Sequence, residues 1–158
     1  RIKSEEADCL YAGIMIDTNN FMTKTGVRTF EAAAFLRRSG ADVTRVHKMF
    51  RDDAEEYKAK ADAVSQAEIY RQSYAITICR GENVQSPTVI GAQAANELLN
   101  IKGVKASFVL TAYNGVIYVS ARSIDEVNVQ LVMERMGGGG HLIFFLCQLE
   151  GIVLRFFV

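Results

Sequence analysis

The residues best suited to chemistry lie late in the sequence, in Gly137-Gly138-Gly139-Gly140-His141. Four consecutive glycines are a poor way to build a helix or a strand, because each loses more backbone freedom on folding than any other residue. They permit positive φ angles and leave the backbone bare enough for another molecule to approach closely. Consecutive N–H groups in such a turn form a concave nest for an anion, and a histidine at its edge can donate to a phosphoryl oxygen. The plainer alternative is a helix C-cap followed by a linker, since glycine is the usual residue just past a helix end. One helix earlier lies Ser120-Ala121-Arg122-Ser123. A strand, helix and loop of this length can fold back to bring Arg122 beside the nest, where its planar fork of donors would meet the same phosphate. Taken alone, Arg122 reads equally well as a solvated arginine at a strand end, and the hydroxyls of Ser120 and Ser123 are weaker signals.

A second candidate is Asp17, which follows the apolar run Leu10 to Ile16. Such a run suits a strand buried on both faces, and a carboxylate at its end would sit where open α/β sheets place their ligands. Asp17 followed by Thr18, Asn19 and Asn20 also suits a turn or helix cap, and the residues alone leave both readings open.

The elements that must position these groups can be read in order. Thr29 looks like the N-cap of a helix over Phe30 to Arg38, stopped by Ser39-Gly40. Asp42 starts a short helix with Val43, Val46, Met49 and Phe50 at helical spacing. Asp53 to Gln66 reads as a mostly polar helix joining two domains, with the boundary near residue 67. Beyond it come a strand over Tyr74 to Cys79, a loop over Gly81 to Pro87 and a helix over Val89 to Leu99. Two β-rich runs, Val104 to Tyr113 and Val116 to Ala121, are split by the hairpin signal Asn114-Gly115. A helix over Val127 to Met136 leads into the glycines. The expected class is α/β with an antiparallel α+β second module, residues 1–67 and 68–158 forming the two parts. The apolar runs Leu142 to Cys147 and Gly151 to Val158 make a poor transmembrane helix with Gln148, Glu150 and Arg155 among them. Two core strands or one buried helix are expected there, and an exposed run would invite aggregation.

Composition excludes several classes of partner. Eighteen basic and eighteen acidic side chains cancel, so no long-range field draws DNA, RNA or anionic lipid, and phosphate recognition must be local. Cys9, Cys79 and Cys147 are too few and too scattered for a zinc motif, and an odd number leaves no complete set of intrachain disulfides. Buried reduced thiols are expected. The chain opens on Arg1 without an initiator methionine or signal peptide and reads as a piece of a longer protein. His47 lies mid-helix beside Lys48 and reads as a surface or boundary residue.

Ser120-Ala121-Arg122-Ser123 followed by Gly137 to His141 resembles the C-terminal substrate-binding domain of the DHH phosphoesterase superfamily. Leu10 to Phe21 resembles the last motif of that superfamily's catalytic domain. Arg28-Thr29-Phe30-Glu31 through Asp42 is similar, more narrowly, to membrane-anchored bacterial phosphodiesterases that hydrolyse cyclic di-AMP. The resemblance runs from about residue 8 to residue 142. It implies the end of an α/β catalytic domain followed by a mixed-sheet substrate-binding domain. Asp17 would ligate manganese, and Ser120, Arg122, Gly137, Gly138, Gly139, Gly140, His141 and Arg28 would bind substrate. The superfamily's Asp-x-Asp and Asp-His-His motifs are absent from these 158 residues. One carboxylate cannot hold two divalent ions, so this piece alone is expected not to retain the Mn2+ pair and to be inactive. The resemblance implies a cyclic dinucleotide or short oligonucleotide as ligand, no long nucleic acid and no membrane contact by this piece. It further implies a cytoplasmic location under a membrane-anchored parent, and leaves a homodimer open. A nanoRNase-like enzyme of the same superfamily and a non-catalytic nucleotide-binding module are the alternatives.

Overall fold

A computed structural model describes residues 2–81, 84–124, 127–141 and 144–149. It divides into two compact units between Arg51 and Asp52. The division precedes the polar helix instead of following it near residue 67.

The first unit holds three helices, α1 (Ser4–Asp17), α2 (Val27–Arg38) and α3 (Val43–Met49). The run Leu10 to Ile16 is therefore helical, which corrects the expectation of a buried strand. A short apolar run carries no decisive periodicity. What decides here is the acidic first turn, where the Glu6 carboxylate accepts the Lys3 N–H at 2.9 Å, and burial at Ala7, Asp8 and Ala12 on one helical side. Ala7 packs with Leu36 and Ala41, and Tyr11 and Ile14 flank them. Helix α2 begins two residues before the expected cap. Gly26 is the N-cap, and Thr29 serves from inside the helix, its hydroxyl accepting the Gly26 N–H at 3.4 Å. Ser39 and Gly40 end it as expected, Gly40 at φ +108°. Asp42 caps α3, accepting the N–H groups of Thr44 and Arg45 at 2.7 and 3.1 Å. The corner is closed by Asp8, only 2% exposed. Its carboxylate accepts the Asp42 N–H at 2.6 Å and Arg45 Nε at 2.7 Å. Arg45 Nη2 reaches on to Ser4 Oγ and the Gly40 carbonyl.

The second unit begins with α4 (Ala54–Ser65), capped by Asp53. Its strands are β1 (Glu68–Tyr70), β2 (Tyr74–Cys79), β3 (Ala106–Tyr113), β4 (Val116–Ser123), β5 (Gly139–His141) and β6 (Phe144–Leu149). Helix α5 (Pro87–Leu98) lies between β2 and β3 in sequence, and α6 (Val129–Arg135) between β4 and β5. The sheet order is β1-β2-β3-β4-β6-β5. All pairs are antiparallel except β2 with β3. The α5 crossover makes that pair parallel, so the module is mixed and not wholly antiparallel.

Alternation along the strands gives the sheet two faces. Ala75, Cys79 and Val109 pack beneath α4 and α5, against Ala63, Ile90, Ala94 and Leu98. Ala106, Ile117, Val119 and Ala121 face the other way, against Val129 and Met133 of α6. Asn114 and Gly115 take φ +51° and +76° in the β3–β4 turn, the left-handed pair that a two-residue hairpin requires. Strand β6 takes in Phe144 to Cys147 of the first apolar run after His141, while Leu142, Ile143 and Gly151 to Val158 lie outside the described residues. Cys79 is buried as expected, but Cys9 is exposed.

Candidate anion-binding site

The glycine run is divided between two conformations. Gly137 is at positive φ, +79°, and its N–H closes α6 by donating to Glu134 O at 3.0 Å. The Gly138 N–H donates to Met133 O at 2.8 Å. Gly139 and Gly140 then enter β5 with His141, paired to β6. The expected continuous nest over Gly137 to Gly140 is therefore a helix C-cap followed by a strand. Two of its N–H groups close α6, so they do not form the concave ring that the run of glycines suggested.

Register nevertheless brings the expected residues to one end of the sheet. Arg122 pairs with Phe144, which pairs with His141, and Ser120 pairs with Leu146, which pairs with Gly139. The Arg122 and His141 backbones thus share a row, with β6 between them, about 9–10 Å apart at the usual strand spacing. Ser120 is buried at 2% exposure and lies on the same face of β4 as Arg122.

Arg122 is half-buried and held by hydrogen bonds. Its Nε donates to Asn96 Oδ1 on α5 at 3.1 Å, and its Nη1 donates to the Ala121 carbonyl at 2.8 Å. Burial pushes its pKa down to about 10, which leaves it cationic at neutral pH. Asn96 was not legible as a site residue. Its only sequence signal is an amide among the alanines of α5, and polar groups are common on an outer helix face.

Asp17 and Arg28 belong to the first unit, and both are exposed. Asp17 is the last residue of α1, not the end of a strand. A carboxylate there opposes the helix dipole, and no basic residue in the last turn offsets it. The following turn is strained: Asn19, Asn20 and Phe21 have φ of +46°, +56° and +64°. The left-handed region is unusual for a residue as bulky as phenylalanine. Thr18 braces the turn, donating to Ile14 O at 2.6 Å and accepting from the Phe21 N–H at 3.0 Å. The Phe21 ring stacks on Phe30 at 5.5 Å and meets Tyr11 edge-on at 6.0 Å. Among the described residues no group of three His, Cys, Asp or Glu side chains is placed to hold a metal ion. Asp17 belongs to no such group.

A family model for the DHHA1 domain matches residues 72–154, more than half of the chain. The chain belongs to the DHHA1 domain family. The match begins at the turn before β2 and takes in α5, Arg122 and the glycines, so the half-buried arginine and its helix belong to the DHHA1 domain itself.

Several relatives match nearly the whole chain. One is the cyclic-di-AMP phosphodiesterase PdeA of Listeria monocytogenes serotype 1/2a (strain 10403S), 42% identical over 150 residues, covering 94% of this chain and 23% of that protein. Another is the cyclic-di-AMP phosphodiesterase GdpP of Geobacillus thermodenitrificans (strain NG80-2), 43% identical over 151 residues with the same coverage. The DHHA1 domain and the helices before it thus span about a quarter of the length of these curated relatives. An exopolyphosphatase-related protein from Bacteroides fragilis shares the fold, with a TM-score of 0.83 at 22% identity over 96% of this chain and 47% of that one.

Proposed function

We propose that the chain is part of a manganese-dependent phosphodiesterase that hydrolyses cyclic di-AMP to linear pApA, in a parent protein anchored in the bacterial membrane. The observation that carries the reading is its identity of 42–43% along nearly all its length to two proteins named as cyclic-di-AMP phosphodiesterases. Within the reading, the second unit grips the dinucleotide. Arg122 donates to a phosphate, and the Gly137–His141 segment, two strands away in the sheet order, is assigned to the same ligand. Ser120 lies two residues before the arginine on the same face of β4. Asp17 contributes one carboxylate to a metal pair completed by ligands from elsewhere in the parent protein. No helix among the described residues is long and apolar enough to cross a membrane.

The test is calorimetric titration of the 158-residue chain with cyclic di-AMP, cyclic di-GMP and pApA. Saturable binding of an adenine dinucleotide is expected, weakened by about 1.5–3 kcal/mol in Arg122→Ala, the usual worth of a hydrogen bond to a charged group. With manganese added, the chain should turn over no cyclic di-AMP. Failure to bind any of the three ligands would overturn the grip assigned to the second unit. Turnover near the rate of the full-length protein would overturn the assignment of the missing metal ligands.

A further inference from the structure

We propose that Asn96 is the positioning residue for Arg122, fixing the plane of its guanidinium before any ligand arrives. The inference rests on the reading of Arg122 as a phosphate donor. An arginine side chain carries about 2 kcal/mol of rotamer entropy, and a donor that must be ordered on binding spends part of its interaction on that ordering. Here the ordering is already done. Asn96 Oδ1 accepts from Nε at 3.1 Å, while the Ala121 carbonyl accepts from Nη1 at 2.8 Å. Two acceptors on different atoms of one planar group leave little freedom of rotation. One is backbone and cannot be lost to substitution, so of these two acceptors Asn96 is the replaceable one.

Asn96 is itself well supported. It sits in the last turns of α5, whose neighbouring residues Ala94, Ala95 and Leu98 are fully buried. Ser107 of β3 donates to the Ala95 carbonyl at 2.6 Å, tying the same stretch of helix to the strand beside β4. Ser107 is also the register partner of Arg122. The helix that carries the acceptor is thus fastened to the sheet at the level of the arginine it holds.

The experiment compares pApA binding by calorimetry in the wild-type chain, Asn96→Ala, Asn96→Asp, Arg122→Ala and the double variant Asn96→Ala/Arg122→Ala, with a thermal melt of each. Alanine is the residue that most favours helix at a half-exposed position, so Asn96→Ala should melt near the wild type. It is expected to bind about tenfold more weakly, ~1.4 kcal/mol. Asn96→Asp keeps an oxygen where Nε needs it and should recover to within about threefold of wild type. In the Arg122→Ala background, Asn96→Ala should weaken binding no further. Normal binding by Asn96→Ala, failure of the aspartate to rescue, or a further loss in the double variant would each overturn the positioning role. Normal binding by Arg122→Ala would instead remove the phosphate reading of the site, and the role of Asn96 with it. A weak Arg122→Ala beside a normal Asn96→Ala would overturn the positioning role alone.

Discussion

Asp8 and Arg45 are 37 residues apart in sequence and joined in the first unit by a paired hydrogen bond. The Arg45 guanidinium first, and the Asp42 N–H second, hold the Asp8 carboxyl below its ordinary value of 3.8. A carboxyl depressed on folding contributes stability that is fully present above its unfolded value and is lost as pH falls through its folded value. Acid titration followed by circular dichroism should therefore show helix loss below about pH 4. Asp8→Asn should be less stable than wild type at neutral pH and less sensitive to acid. An unchanged acid profile in Asp8→Asn would remove the pair from the stability of the first unit. The glycines make a second residue-scale contrast. Gly137 is left-handed, with nothing within 4 Å of an added Cβ, so Gly137→Ala should cost only the backbone term, ~1–2 kcal/mol. Gly139 lies in a strand, where β-branched residues fit, so Gly139→Val should spare folding, and any loss should appear in ligand binding. Chemical denaturation of both variants separates the two, and equal destabilisation would contradict the division of the run between cap and strand.

At the scale of elements, legibility followed the range of the forces that set each one. The helix starts at Asp42 and Asp53, the Asn114-Gly115 turn and strand β2 depend on neighbours in sequence, and all could be read from it. Helix α1 was misread because Leu10 to Ile16 is apolar on every side, and only the packing of Ala7 against Leu36 and Ala41 selects a buried face. The division of the glycine run was hidden for a similar reason: β5 exists because β6 pairs with it, and glycine itself has no preference for a strand. The Arg122–Asn96 contact spans 26 residues and depends on the crossover that lays α5 over the sheet. That crossover has a tight point of its own. A Cβ on Gly91 would meet Thr111 Oγ1 at 2.3 Å, with Thr111 Cβ next at 3.5 Å. Gly91→Ala should destabilise the second unit by roughly 1–3 kcal/mol through overpacking. Thr111→Ala removes the offending oxygen and keeps the carbon at ordinary contact distance, so the double variant should be more stable than the sum of the single losses. Additive losses in urea denaturation would mean that the close approach of α5 to β3 is not what limits the site.

For the molecule as a whole, the division at Arg51 and Asp52 separates the exposed Asp17 from Arg122 and the glycine segment. The second unit carries its own caps, two packed faces and the core clusters around Ile90 and Met133. Residues 52–158 expressed alone should give the circular dichroism of a mixed α/β fold and bind pApA within about threefold of the whole chain, since separate cores rarely couple strongly. Loss of binding on removal of residues 1–51 would place an indispensable contact in the first unit. The sheet order has a further consequence, for behaviour in crowded solution. Among the described residues both outermost strands, β1 and β5, are three residues long, and β5 contributes two glycines. An outer strand is where a second molecule adds itself by backbone pairing, and short outer strands are one way natural sheets discourage it. With so few backbone groups in β1 and β5, those two strands offer another copy little to zip onto, and the long pairing surfaces of β3 and β4 are already spent on each other.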